Sequence, residues 1–192
     1  FALKRVVEAD DDGVVPFGLA RLLSGLVFCL GLILVVVGGA ELFTGNTLMV
    51  MAWAAGEVRL VEMLRAWAIV YVGIVFGAVG TAALVFLSGQ YLSGKGSVAL
   101  VAVNIATAKV TLSFDHAFFL GILCNVLVCL AVWLAYGARS TTDKILAVLF
   151  PVSAFVVAGF EHSVANMYLI PLGLFIKAAA PSALWAQLGA AA

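Results

Sequence analysis

The sequence predicts an all-α integral membrane protein with two interrupted helices in repeated positions, and three observations carry that prediction. Of its 192 residues 65% are hydrophobic and 10% charged, with a mean hydropathy of +1.22, whereas soluble domains are roughly half apolar and a quarter charged. The octet Gly159 to Asn166 reads G-F-E-H-S-V-A-N and sets Glu161 beside His162 between the apolar runs Leu146 to Ala158 and Met167 to Ile176. A second octet, Gly39 to Asn46, reads G-A-E-L-F-T-G-N, so both have the form G-x-E-x-x-x-x-N and each breaks an apolar segment. Ionisable side chains are costly in hydrocarbon and survive there only against a cavity or a partner. Two interrupted segments in corresponding places point to a transporter or channel whose site lies at the breaks.

The balance of charge excludes other classes. Ten basic and ten acidic residues cancel, so no bulk field favours nucleic acid or an anionic membrane surface. Cys29, Cys124 and Cys129 lie inside apolar runs and read as small hydrophobes, with no metal or cofactor expected. The chain opens on Phe1, with Lys4, Arg5, Glu8 and the acidic run Asp10 to Asp12 in its first dozen residues and no secretory signal pattern. That start reads as the tail of an earlier helix. At the other end, Ala183 to Ala192 is shorter than the roughly 20 residues a spanning helix needs.

Taken in order, Phe17 to Phe43 is a long apolar stretch, with Arg21 near its start where a long side chain reaches the interface. Thr47 to Ala55 is apolar but only about half a membrane thick, so with the break it completes a discontinuous span over about 17–55. Gly56 to Arg65 carries Glu57, Arg59, Glu62 and Arg65 and reads as a water-facing turn and helix start. Ala66 to Leu87 is the second span, whose Gly73, Gly77 and Gly80 have the spacing that lets helix backbones approach closely in lipid. After the Gly/Ser-rich loop Ser88 to Gly96, the stretch Ser97 to Leu112 is interrupted by Asn104, Thr107 and Lys109 and reads as a loop and short surface helix. The third span covers about 115–136, with Asn125 in its interior. The fourth covers about 145–176, is broken near 159–166, and contains Pro151 and Pro171, whose freed carbonyls need other partners. Together these make a single transmembrane channel domain over residues 1–192. Basic residues divide too evenly between the two sides to set the orientation.

At the breaks, His162 is one of two histidines, and an imidazole titrates where a proton can be handed to a passing weak acid. The bland alternative is a buried neutral histidine satisfied by hydrogen bonds. The other, His116, sits at a helix start where solvation accounts for it. A broken helix leaves N–H groups and half-helix dipoles aimed at the gap, which suits a small anion. Thr44 offers a hydroxyl that donates or accepts, with helix capping as a structural alternative compatible with that role. Glu41 and Glu161 occupy equivalent places and read as structural carboxylates accepting hydrogen bonds, a proton relay being the rival.

These residues resemble the formate/nitrite transporter family, pentameric channels for formate, nitrite and hydrosulfide. The matching text is A-E-L-F-T-G-N at Ala40 to Asn46, L-S-G-Q-Y at Leu87 to Tyr91, L-G-I-L-C-N-V-L-V-C-L-A-V-W at Leu120 to Trp133 and G-F-E-H-S-V-A-N-M at Gly159 to Met167. The resemblance implies an aquaporin-like, inverted-repeat helical channel with six helices per subunit, a homopentamer with one pore per subunit, in the inner (cytoplasmic) membrane among lipids. It makes His162 the central pore histidine, faced by Thr44 from the other break. Lys109 becomes a vestibule lysine that gathers anions, and Asn125 a polar pore-wall residue. Glu161 and Asn166 belong to the same motif. Phe28 and Phe155 match one apolar constriction, and Leu32, Leu42, Phe43 and Val128 match the other, although a hydrophobe in a membrane helix is ordinarily packing.

The implied mechanism agrees with the residues. A bare anion does not cross a dry constriction, so the site lowers its charge by proton transfer or strong hydrogen bonding and the neutral acid passes. The expected partners are therefore small anions and protons, and no enzymatic reaction is expected. Against the family pattern, the first helix is represented at most by Phe1 to Val7 and the sixth is missing, which makes a non-conducting fragment bound to longer subunits one alternative. A water or neutral-solute channel is another, disfavoured by the lack of paired N-P-A motifs. A haem subunit using His162 and His116 lacks the several facing histidines such subunits need.

Overall fold

The computed structural model describes residues 17–182 together with Trp185. The proposed helix tail Phe1 to Val7, the acidic run Asp10 to Asp12 and, Trp185 aside, the segment Ala183 to Ala192 lie outside the described residues. The described residues form helices α1 (Phe17–Gly38), α2 (Phe43–Asn46), α3 (Met49–Ala54), α4 (Leu60–Leu87), a 3-10 turn (Gln90–Leu92), α5 (Ser97–Val110), α6 (Phe114–Gly137), α7 (Thr141–Ala158) and α8 (Ser163–Ala179). Among them, Gly18–Gly38, Leu60–Leu87, Phe114–Gly137 and Thr141–Ala158 are long and apolar enough to cross a membrane.

Polar signals set the helix ends. Ser140 and Asp143 form a capping box at the start of α7: the Ser140 hydroxyl accepts from the Asp143 amide at 3.1 Å, and Asp143 Oδ2 accepts from the Ser140 amide at 3.0 Å. Glu62 reaches back to accept from the Arg59 amide at 3.1 Å and from Arg59 Nε at 3.0 Å, satisfying a donor ahead of α4. The water-facing turn therefore ends in a helix start at Leu60.

The chain falls into two compact units. Unit A comprises Phe17–Ile74 and Ala117–His162, and unit B comprises Val75–His116 and the residues from Ser163 onward. In unit A, α1 packs on α7 around Cys29, Cys124, Val128, Ala131, Val148, Val152 and Phe155. Gly25 permits that approach, since a Cβ there would lie 3.1 Å from the carbonyl oxygen and 3.2 Å from the Cα of Ser153. In unit B, α5 packs on α8 around Ala82, Ala99, Ala102, Leu172, Ile176 and Trp185. Gly173 is the close approach here: a Cβ would run into the Ala106 methyl and come within 3.3 Å of the Ala102 carbonyl.

Two expectations change. Ser97 to Val110 is one continuous helix rather than a loop and short helix. Ala99, Ala102 and Ala106 make a buried small-residue stripe for α8 to lie on, while Asn104 and Thr107 face outward. The Gly73, Gly77 and Gly80 set is not where described helices touch, because a Cβ at any of the three meets nothing within 4 Å.

Candidate functional site

The two octets fold the same way at their first residues. α1 ends at Gly38, Gly39 turns to φ +72°, and the Ala40 amide donates to Val35 O at 3.0 Å. α7 ends at Ala158, Gly159 turns to φ +75°, and the Phe160 amide donates to Phe155 O at 3.0 Å. Each is a left-handed glycine cap that closes the last turn and frees the chain to leave the helix axis. Beyond the caps they differ: Phe43–Asn46 is a single turn followed by a second short helix, whereas Ser163–Ala179 runs unbroken. Of the two half-helices expected to aim dipoles at the gap, only α8 has the length to carry one.

Thr44 is 3% exposed, and its hydroxyl oxygen is buried with no hydrogen-bond partner among the described residues. The capping alternative is overturned, since Leu42 occupies the cap position of α2 and no side chain caps it. His162 follows the second cap, its ring centroid 5.7 Å from that of Phe155 and 6.4 Å from that of Phe28. Those two phenyl rings meet edge to face at 5.6 Å. Phe28 from α1, Phe155 from α7 and His162 from the loop are thus one aromatic cluster in unit A.

The other apolar candidates divide. Val128 and Phe155 are core residues, and Leu32 and Leu42 pack against that core. Phe43 turns to α4, with ring centroids 5.4 Å from Tyr71 and 6.4 Å from Trp67. Asn125 is exposed on α6, one turn before Val128, and Glu161 stands partly buried beside His162. Lys109, in the last turn of α5, and Asn166, in the first turns of α8, belong to unit B. Glu41 departs from expectation. It is exposed and accepts no hydrogen bond from a described residue. Instead it lines a cavity of about 250 Å³ beside the first break, with Leu42, Asn46, Tyr136 and Lys144 among its other walls. No group of three or more potential metal ligands occurs among the described residues.

Arg21 also has a more specific place than the interface. Its Nη1 donates to Val157 O at 3.1 Å, where a cation complements the C-terminal end of α7. The cysteines are not only small hydrophobes. Cys29 Sγ donates to Gly25 O at 3.1 Å and lies 3.3 Å from Ser153 Oγ. Cys129 Sγ lies 3.2 Å from Thr47 Oγ1 and 3.5 Å from Thr44 O. Trp67, Thr47 and Cys129, which contact the first break, carry no signal in sequence beyond Thr47 standing three positions after Thr44.

The sequence profile described as formate/nitrite transporter matches residues 1–191. The chain belongs to the formate/nitrite transporter family. It is 44% identical over 186 residues to the formate channel FocA of Escherichia coli K12, covering 97% of this chain and 65% of that protein. It is 41% identical over 174 residues to FocA of Haemophilus influenzae, covering 91% of this chain and 61% of the relative. The chain therefore spans less than two thirds of the length of these relatives. Among solved structures it is similar to a pentameric formate channel with formate bound, with a TM-score of 0.87 and 42% identity over 94% of this chain and 71% of that one. It is also similar to an FNT family ion channel, with a TM-score of 0.76 and 33% identity over 90% of this chain and 68% of that one. Membership in this family makes the fold an aquaporin-like, inverted-repeat helical one, and the matched caps at Gly39 and Gly159 are its two breaks.

Proposed function

We propose that this family member carries the conducting lane of a channel for small monovalent anions of weak acids, formate first among them, with His162 coupling passage to protonation. The observation that carries the reading is the cluster at the second break, where an imidazole sits against two phenyl rings. An aromatic wall of that kind excludes water and bare charge, and it leaves the histidine as the group able to exchange a proton with what passes. Thr44, buried with an unengaged hydroxyl at the other break, supplies a donor or acceptor for a carboxylate or its neutral acid. Lys109 gathers anions, and Asn125, Glu161 and Asn166 add polar groups along the way. The similarity to formate channels and to a pentameric assembly supports formate as cargo and a homopentamer as the working state, and on this reading the channel works in the cytoplasmic membrane. Nitrite and hydrosulfide are further cargo of the same charge and size.

The test is entry of formate, nitrite and hydrosulfide into sealed liposomes at several pH values, with the chain at its relatives' full length. The proton-donating form is the imidazolium, which gains population as pH falls. Flux therefore rises as pH falls, and His162→Ala removes the dependence. Silence toward all three anions rejects the transport reading. A pH profile that survives in His162→Ala rejects the role of His162.

A further inference from the structure

The first break leaves two carbonyls outside the helical ladder. The Leu48 amide donates to Gly45 O at 3.1 Å and the Val50 amide to Thr47 O at 3.2 Å, each three residues back. The carbonyls of Thr44 and Asn46 are passed over by these donors. Side chains take both. Trp67 Nε1, reaching from α4, donates to Asn46 O at 2.8 Å. Thr47 Oγ1 donates to Thr44 O at 2.6 Å, and Cys129 Sγ, on α6, lies 3.5 Å from the same oxygen and 3.2 Å from Thr47 Oγ1. All these residues belong to unit A. In a membrane interior no bulk water satisfies such carbonyls, so the side chains that do so fix the backbone. A threonine in a helical turn ordinarily turns its hydroxyl onto a carbonyl of the preceding turn. Thr47 does this and Thr44 does not, which leaves the Thr44 hydroxyl buried and unengaged.

We infer that Trp67, Thr47 and Cys129 form a clamp on the carbonyls of Thr44 and Asn46 that holds the first break in the geometry presenting the Thr44 hydroxyl to passing cargo. The clamp residues are positioning residues: they touch the backbone of the break and act through Thr44. Phe43 reinforces the same anchorage by packing its ring on Trp67 and Tyr71. The inference rests on the proposed role of Thr44, and the experiment separates the two.

Formate flux is measured in liposomes over a pH series for the full-length protein and for Trp67→Phe, Thr47→Val, Thr47→Ser, Cys129→Ala and Cys129→Ser. Each variant is also made in a Thr44→Val background, with oligomeric state checked by size exclusion. Trp67→Phe keeps a six-membered ring for Phe43 and removes the N–H together with the five-membered part of the indole. Removing a clamp donor is expected to lower flux roughly three- to ten-fold, the value of one neutral hydrogen bond, and to alter the pH profile. Thr47→Ser and Cys129→Ser, which keep a donor, restore both. In the Thr44→Val background the clamp substitutions add nothing. Loss of equal size in both backgrounds, or an unchanged pH profile with uniformly lower flux, overturns the clamp and leaves only packing. If Thr44→Val itself leaves flux unchanged, the role of Thr44 falls and the clamp with it. If Thr44→Val matters and the clamp variants do not, the clamp alone falls. Thr47→Val removes one hydroxyl at nearly constant shape and decides the question if Trp67→Phe does not assemble.

Discussion

Gly39 and Gly159 hold the same left-handed conformation, φ +72° and +75°, but only Gly159 has a neighbour in the space a side chain would fill. A Cβ on Gly159 would come within 2.7 Å of Arg21 Nη1, the atom that donates to Val157 O at 3.1 Å. A Cβ on Gly39 meets nothing within 4 Å. The two substitutions therefore separate backbone strain from displacement of a bonded guanidinium. Gly39→Ala is expected to cost about 1–2 kcal/mol, the strain of a left-handed non-glycine residue. Gly159→Ala costs more, because it also pushes Arg21 off its carbonyl. Thermal unfolding in detergent measures both, and in an Arg21→Ala background the gap between them should close. A gap that persists there means Arg21 is not what the new methyl meets.

Capping of α7 gives a second prediction. Ser140→Ala removes the hydroxyl that accepts from the Asp143 amide at 3.1 Å, which is expected to cost about 1 kcal/mol. Ser140→Thr keeps the acceptor and should be nearly neutral. Hydrogen exchange of the first turn of α7 reads the effect locally, and equal exchange in all three proteins would show that the cap contributes nothing.

The breaks were legible because glycine and a charged residue inside an apolar run have few explanations in lipid. Gly39, Glu41, Gly159, Glu161 and His162 all stood out on that ground. The close helix contacts were not legible. Gly25 and Gly173 make them, whereas Gly73, Gly77 and Gly80 had the better spacing and face open space. Spacing reports which residues share a face but not which face another helix covers. The helix Ser97–Val110 is hard to read from sequence for a related reason, since Asn104 and Thr107 face outward while Ala99, Ala102 and Ala106 face inward, a division that mean polarity hides. The clamp on the first break was hidden because an indole N–H and a thiol reveal their bonds only once the carbonyls they meet are placed.

Packing of α5 on α8 gives a third prediction. Gly173→Ala puts a methyl against the Ala106 methyl and the Ala102 carbonyl, a backbone-limited contact that cannot relax by rotating a side chain. Overpacking of this sort is expected to cost about 1–3 kcal/mol. Ala106→Gly should recover most of it. Gly121→Ala, at a position with nothing within 4 Å, serves as the control and should leave unfolding unchanged. Failure of Ala106→Gly to rescue Gly173→Ala would place the strain elsewhere in unit B.

The two phenyl rings beside His162 differ in burial in a way that separates stability from selectivity. Phe155 is 3% exposed and Phe28 is 40% exposed, so truncating Phe155 opens a cavity in the core of unit A while truncating Phe28 trims an edge. In lipid the cavity contribution is the part that carries over from water, and at about 24 cal/mol per Å³ it comes to on the order of 2 kcal/mol for a lost phenyl ring. Phe155→Ala should therefore lower the unfolding temperature clearly, and Phe28→Ala should do so only slightly. If the rings line the lane as proposed, Phe28→Ala widens it without unfolding it. An apolar constriction separates neighbouring sizes by about 1–3 kcal/mol, so the preference for formate over acetate and lactate in liposome flux should fall roughly tenfold or more. An unchanged preference in a folded Phe28→Ala protein would remove Phe28 from the lane and leave its contact with His162 as packing alone.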